Sequence, residues 1–336
     1  MKIGFGILGC GYIGRRHAKH ISEHPEGTVV AGFDIKEDRM LEFCNDFHAK
    51  KCSSLDELLS NPEVDLISVC TPNGLHYQGA ISALKAGKHV LVEKPMALSK
   101  TQCEEMIKES EKNKKELYVV KQNRFNPPIV KLKEIVESGK LGQVYMVQVN
   151  CFWNRNEKYY LSSDWKGTKE LDGGTLFTQF SHFVDILYYL FGNLENISGI
   201  AKNVNHGKLI EFEDTGTFNF YMKNGALGSL IYTSSCYMQN MEGSITVWAE
   251  NATIKIGGKY LNTIEYQKTN DFDITDVEES RPANNYGYYE GSMSNHDRVI
   301  NNVIDALSGR GKIMTNAYEG MDVVDIIERM YHSIRP

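Results

Sequence analysis

Apolar and polar positions keep two rhythms through the first third of the chain. Lys2 to Leu8 is a short apolar run, closed by Gly9-Cys10-Gly11-Tyr12-Ile13-Gly14 and a helical pattern through Ser22. Thr28 to Phe33 is a second strand ending in Asp34, and Val64 to Cys70 a third running into Thr71-Pro72-Asn73, with His76 shortly after. A helical run closes at Gly87, and His89 to Val92 is the next strand, ending in Glu93-Lys94-Pro95. A helix over Ser99 to Asn113 leads to strand Leu117 to Val120 and the cluster Gln122-Asn123-Arg124. Strands alternating with helical patterns predict a wound parallel sheet. Ligands of such sheets bind beyond the carboxyl ends of the strands. Each polar cluster just named falls at such an end.

From Asn123 onward the rhythm changes. Strand-like alternation covers Gln143 to Phe152, Leu194 to Asn205, Asp214 to Tyr221, Leu227 to Ser235, Gly243 to Ala249 and Asn251 to Gly257. Asn224-Gly225 is a hairpin signal. The pattern predicts an α/β protein of two domains. Residues 1–122 form a Rossmann-type parallel sheet, and residues 123–336 an α/β domain with an open, mostly antiparallel sheet. Residues 268–294, rich in Asp, Glu, Asn, Gly and Tyr, are read as a long mobile loop near a site. Helical patterns over Asn295 to Ser308 and Ala317 to Ile334 close the chain.

One segment of the second domain carries an unusual polar stripe. After Gly173-Gly174, a projection at about 100° per residue places Leu176, Phe180, Phe183, Leu187 and Leu190 on one face of a single helix. Thr175, Thr178, Gln179, His182 and Asp185 gather opposite. A solvated helix face normally carries Lys and Glu. Hydroxyls, an amide, an imidazole and one carboxylate suit a polar cavity better than bulk water.

The glycine turn adds chemistry to the first domain. Set between a strand and a helix, Gly9, Gly11 and Gly14 permit a tight turn and close backbone approach to a pyrophosphate, which would face the helix N-terminus beside Tyr12 and Ile13. Asp34 ends the second strand, where a carboxylate accepts the ribose hydroxyls of NAD and repels the extra phosphate of NADP. Lys36 and Arg39 lie just beyond it.

Composition narrows the classes. A chain of 336 residues has room for two cores. A net charge of −6 argues against nucleic acid or an anionic membrane as partner. The seven cysteines show no CxxC pair, as expected of reduced thiols in the cytoplasm, and no metal site is expected. No apolar stretch reaches transmembrane length, and the chain enters its first strand at once, so neither membrane span nor signal peptide is expected.

GCGYIG at 9–14, TPNGLH at 71–76 and EKP at 93–95, in this order, resemble the Gfo/Idh/MocA family of NAD(P)-dependent oxidoreductases. KQNRFNPP at 121–128, the run Trp153 to Tyr160, WKGT at 165–168 and the GG-to-His helix are similar to its nucleotide-sugar subgroup. That subgroup oxidises C3 of UDP-N-acetylglucosaminuronic acid during surface-polysaccharide synthesis. Many family members have Asp four residues before the histidine, where this chain has Thr178; the subgroup tends to be neutral there.

The resemblance implies NAD as cofactor, with Gly9, Gly11, Tyr12, Ile13, Gly14, Asp34, Thr71, Asn73, His76, Glu93, Lys94 and Gln122 around it. It implies His182 as general base and Lys94 as donor to the developing alkoxide, roles that could be exchanged. A nucleotide sugar acid carries a diphosphate and a carboxylate, so Arg124, Arg155 and Lys166 are expected to hold anions. Thr168 and Gln179 are expected to meet the sugar. The resemblance also implies that the open face of the C-terminal sheet pairs with another subunit, giving a homo-oligomer, either a dimer or a tetramer. Two alternatives stand beside this reading: a dehydrogenase of a free sugar or polyol, and a non-catalytic NAD-binding regulator.

Overall fold

The computed structural model describes residues 2–287 and 289–334. Tyr288, inside the stretch read as a loop, and the two ends of the expected domains (residue 1 and residues 335–336) lie outside them. The chain divides into two compact units. One comprises the chain up to Lys121 together with His296–Val324; the other comprises Gln122–Asn295 and the chain from Asp325 on. A single crossing near residue 122 was expected, and the chain crosses three times.

The first unit is built on β1 (Ile3–Leu8), β2 (Gly27–Phe33), β3 (Lys50–Lys51), β4 (Leu66–Val69), β5 (His89–Val92) and β6 (Leu117–Val119). These form one parallel sheet in the order β3-β2-β1-β4-β5-β6. Every residue of β1 and β4 is buried, as expected of central strands covered on both faces. The covering helices are α1 (Tyr12–Glu23), α2 (Glu37–Phe47), α3 (Leu55–Ser60), α4 (His76–Lys85) and α5 (Lys100–Asn113). Helix α1 buries Gly14, His17, Ala18 and Ile21, the three- and four-residue spacing of a core-facing stripe. Ser99 caps α5 by accepting the N–H of Gln102 at 3.2 Å, one residue inside the expected start.

The second unit adds α6 (Pro127–Glu137), β7 (Val144–Phe152), α7 (Glu157–Leu161) and α8 (Ser181–Phe191). Strands β8 (Leu194–Lys202), β9 (Thr215–Met222), β10 (Leu227–Thr233), β11 (Glu242–Ala249), β12 (Ala252–Gly257) and β13 (Thr263–Thr269) follow. With β7 they make a sheet of order β13-β12-β11-β7-β10-β9-β8. Only the β7–β10 pair is parallel, so the sheet is mixed and mostly antiparallel. Trp153, at the end of β7, packs its ring 5.5 Å from Phe180 and 5.4 Å from Phe183, which fixes α8 on one face of the sheet. On the other face Tyr221 and Leu227 stand paired across β9 and β10, and both are exposed.

Six strands were expected, and among the described residues this sheet has seven. The extra one, β13, is an edge strand of sequence TIEYQKT with no buried residue, in which the apolar alternation is limited to Ile264 and Tyr266. The stretch read as a loop also holds a ribbon of β14 (Ala283–Asn285) and β15 (Glu290–Met293). Two helices close the chain, α9 (His296–Leu307) and α10 (Ala317–Ile334). Helix α9 buries Val299, Ile300, Val303 and Ile304 and packs on α1, which is why the chain returns to the first unit. Among the described residues no helix is long and apolar enough to cross a membrane.

Candidate active site

In the first unit the glycine turn has the geometry of a phosphate cradle. Gly9 holds φ at +96°, and a Cβ there would lie 2.6 Å from the Cys70 carbonyl oxygen. A Cβ on Gly14 would lie 2.1 Å from the Gly9 carbonyl oxygen, so only glycine lets α1 press onto the turn. Gly11 differs: a Cβ would meet nothing nearer than Arg39 Nη1 at 3.8 Å, leaving open space before the helix. Gly11 caps α1 without a side-chain hydrogen bond, and the first turn has no acidic residue. The N–H groups there remain available to a diphosphate. Tyr12 is 75% exposed beside them, and Ile13 is half-buried.

Asp34, expected to meet a ribose, is hydrogen-bonded within its own unit. Its Oδ2 accepts the N–H of Cys10 at 2.9 Å, and Oδ1 accepts the N–H of Lys36 at 2.9 Å. Arg39 Nη1 stands 3.5 Å from Oδ2. The carboxylate therefore braces the glycine turn from the end of β2.

Further strand ends follow in order. Asn73 is buried at the head of a short 3-10 turn after β4, beside the half-buried Thr71. His76 is buried with Nδ1 2.7 Å from the Pro95 carbonyl and Nε2 2.9 Å from the Thr71 carbonyl. Burial lowers its pKa, so the neutral ring donates to one of the two carbonyls. His76, expected at the cofactor, thus stands between the carbonyls that follow β4 and β5. Lys94 follows β5, half-buried, behind a buried Glu93.

In the second unit a π turn over Leu176–Phe180 replaces the expected regular helix and runs into α8. Such turns are frequent at functional sites. The polar stripe is indeed interior. Thr175 Oγ1 donates to the Glu213 carbonyl at 2.5 Å, and Thr178 donates to Asp172. His182, 5% exposed, is the second residue of α8. Asp185 is 1% exposed and belongs to Arg124: the guanidinium donates from Nε to Oδ2 at 3.0 Å and from Nη2 to Oδ1 at 2.8 Å. Tyr189 stacks 4.5 Å from the same guanidinium. Arg124, expected to hold substrate, is thus paired with a buried carboxylate of its own unit. Gln122, one turn away, donates from Nε2 to Ser292 Oγ at 2.9 Å.

Arg155, Lys166 and Gln179 do come together. Arg155 is 2% exposed, lies 5.3 Å from the Tyr159 ring and 5.2 Å from the Tyr289 ring, and donates from Nε to Gln179. Gln179 donates in turn to the Tyr159 hydroxyl at 2.6 Å. Lys166 Nζ stands 4.2 Å from the centre of the Tyr159 ring, and burial and neighbouring Arg155 lower its pKa to about 8 against the pull of Asp172. Thr168 instead turns inward, donating to the Trp165 carbonyl at 2.7 Å and accepting from Leu171 N–H. Sequence reasoning missed Tyr159 and Tyr289. The first sat within a matched segment; the second lay in the stretch read as a loop.

Comparison with known proteins agrees with both halves. Residues 3–121 match the model of an oxidoreductase family with an NAD-binding Rossmann fold, and residues 133–336 match its C-terminal alpha/beta domain. The WlbA dehydrogenase from Bordetella pertussis, solved with NADH and UDP-GlcNAcA, is 33% identical, covering 99% of this chain and 96% of that one with a TM-score of 0.89. The WlbA enzyme from Chromobacterium violaceum, solved with the same two molecules, is 33% identical, covering 99% and 93% with a TM-score of 0.91. The myo-inositol 2-dehydrogenase of Thermotoga maritima is 32% identical over 145 residues, covering 43% of each chain. The chain therefore belongs to the Gfo/Idh/MocA oxidoreductase family, with NAD as its cofactor.

Proposed function

We propose that the protein oxidises the C3 hydroxyl of a UDP-N-acetylglucosaminuronic acid-type nucleotide sugar to the 3-keto sugar. The observation that carries this reading is the box of Arg155 and Lys166 walled by Tyr159 and Tyr289. Two cations stand there against one buried carboxylate, Asp172, which already accepts the Gly167 N–H at 2.8 Å. A local excess of positive charge inside an aromatic wall calls for an anionic ring-bearing ligand. A free polyol would leave the cations with Asp172 alone as counter-charge. The WlbA enzymes, similar along their whole length, were solved with such a sugar acid.

The turn from Gly9 to Gly14 and Asp34 would hold NAD, which would supply the hydride acceptor. The chain itself must handle the hydroxyl proton and the charge left on oxygen. His182 is assigned as the base and Lys94 as the donor to the developing alkoxide, because a histidine titrates near neutrality and an ammonium offers a fixed charge. Thr71, Asn73, Glu93 and Gln122 are assigned to the cofactor side, and Gln179 orients Arg155. The exposed apolar pair Tyr221 and Leu227 on the outer sheet face is assigned to contact with a second subunit. The retention of Lys94 and His182 favours an enzyme over a regulator.

Calorimetric titration of the NAD complex tests the substrate class. UDP-N-acetylglucosaminuronic acid is expected to bind far more tightly than free inositol or glucose, and equal affinities would remove the reading.

A further inference from the structure

Four elements of the first unit meet in one buried polar cluster that joins Glu93 to three residues given no role so far. His17 lies on α1, Ser68 on β4, Glu93 directly after β5, and His296 heads α9. His17 is 0% exposed, Glu93 5% and His296 1%. His17 Nε2 donates to Glu93 Oε1 at 2.9 Å, and its Nδ1 lies 2.7 Å from Ser68 Oγ. The other carboxylate oxygen, Oε2, accepts the backbone N–H of Lys94 at 3.1 Å. His296 Nε2 faces Glu93 Oε1 from 3.6 Å, with the two imidazole rings 5.7 Å apart.

The charges of the cluster are set by its neighbours. Burial pushes His17 down, but Cys70 and Glu93 outweigh it and lift its pKa to about 10. Burial pushes Glu93 up, and His17 and His296 outweigh that to hold the carboxyl well below its usual range. Burial lowers His296 to about 4. At neutral pH the cluster is one carboxylate, one imidazolium and one neutral imidazole. An ion pair this deep adds little to stability compared with apolar packing, and is better explained by what it holds in place.

We infer that His17, acting through Glu93, is a positioning residue for Lys94, and so links the helix that faces the phosphates to the lysine after β5. His17 keeps the carboxylate fixed, the carboxylate holds the Lys94 N–H, and the backbone that aims the lysine stays put. His296 closes the cluster from α9. The consequence for turnover rests on the role proposed above for Lys94; the restraint on its backbone does not.

The test uses the full chain saturated with NAD and compares wild type, His17→Leu and His17→Gln. Leucine removes the donor to Glu93, whereas glutamine can still supply one. Hydrogen exchange over residues 91–94 is expected to quicken at least about tenfold in His17→Leu, while β1 and β4 keep wild-type protection. Single-turnover reduction of NAD by UDP-N-acetylglucosaminuronic acid should fall roughly 10–100-fold, as for a misplaced group. NAD affinity should hold, and His17→Gln should recover most of both effects. Three results would overturn the inference: exchange rising throughout the unit, unchanged exchange over 91–94, or glutamine behaving as leucine does. So would stoichiometric zinc carried by wild type and lost in His296→Leu, because the ligand atoms of His17, Glu93 and His296 lie within 4.8 Å of one another. The exchange readout needs no sugar, so a wild type that ignores the UDP sugar counts against the substrate reading alone.

Discussion

Arg124→Met should damage stability and leave substrate affinity nearly untouched. The guanidinium is 0% exposed and its partner Asp185 1% exposed, joined by hydrogen bonds of 3.0 and 2.8 Å. Methionine fills much of the volume but strands Asp185 as a buried carboxylate with its main counter-ion gone. Removing one member of such a pair costs about 3–5 kcal/mol. With a urea dependence of roughly 3 kcal/mol per molar, that is a midpoint shift of about 1–1.7 M. The loss should fall on the second unit, where α8 carries both Asp185 and His182. Urea titration followed by circular dichroism measures it, and the double variant Arg124→Met with Asp185→Leu should recover most of the loss, since an apolar pair replaces the ionic one. KM of the folded single variant should stay within about twofold, because no transition-state or ground-state contact is removed. An unfolding midpoint equal to wild type, with KM raised tenfold, would refute the reasoning and return Arg124 to the substrate site.

Three further outcomes follow from particular side chains. NAD should bind more tightly than NADP, and Asp34→Ala should narrow the gap while weakening NAD itself, since the carboxylate also holds the Cys10 N–H; fluorescence titration of both cofactors checks this, and equal wild-type affinities would contradict it. KM for the sugar acid should rise above about pH 8 as Lys166 loses its proton, and Lys166→Met should give a high KM that no longer varies there; a Lys166→Met profile matching wild type would take the lysine out of the site. Burial lifts Glu213 from 4.5 to about 7 against the hydrogen bonds of Tyr331 and Tyr232. The unfolded chain then ionises first, so stability falls as pH rises from about 4.5 to 7 and stays lower above. Glu213→Gln should be more stable than wild type at pH 8, by at most about 3 kcal/mol, and nearly equal at pH 4; a variant weaker than wild type at pH 8 would contradict the assignment.

The nucleotide-binding half was legible because its signals are local. A buried strand, a glycine turn and an amphipathic helix each announce themselves within a dozen residues, and β1, α1 and β5 lie within a residue or two of where periodicity places them. The cation box was half legible. Arg155 and Lys166 stood in motifs, but Tyr289 comes from a segment that has no periodicity of its own. Arg124 shows the limit of reading charge from a motif: an arginine beside a strand end looks like an anion site until its partner, 61 residues later in the chain, is known. The same holds for His17. Its i, i+3 and i+4 neighbours mark it as core, and nothing local says that a carboxylate 76 residues away shares its proton. The π turn before His182 leaves no mark in a pattern of apolar residues, since inserting one residue per turn shifts the stripe by less than the stripe is wide.

The account depends most on what the cation box is for, and one measurement tests that directly. The enzyme, saturated with NAD, is mixed in a stopped-flow instrument with UDP-N-acetylglucosaminuronic acid, with UDP-N-acetylglucosamine, which lacks the carboxylate, or with myo-inositol, and absorbance of the reduced nicotinamide is followed through one turnover. The sugar acid should give a full single-turnover amplitude, the nucleotide sugar without a carboxylate a much slower turnover, and inositol none. His182→Ala should lower the rate with the sugar acid about 10²–10⁴-fold while NAD still binds. Turnover of inositol in preference to the sugar acid, or no turnover of any nucleotide sugar, would contradict the account.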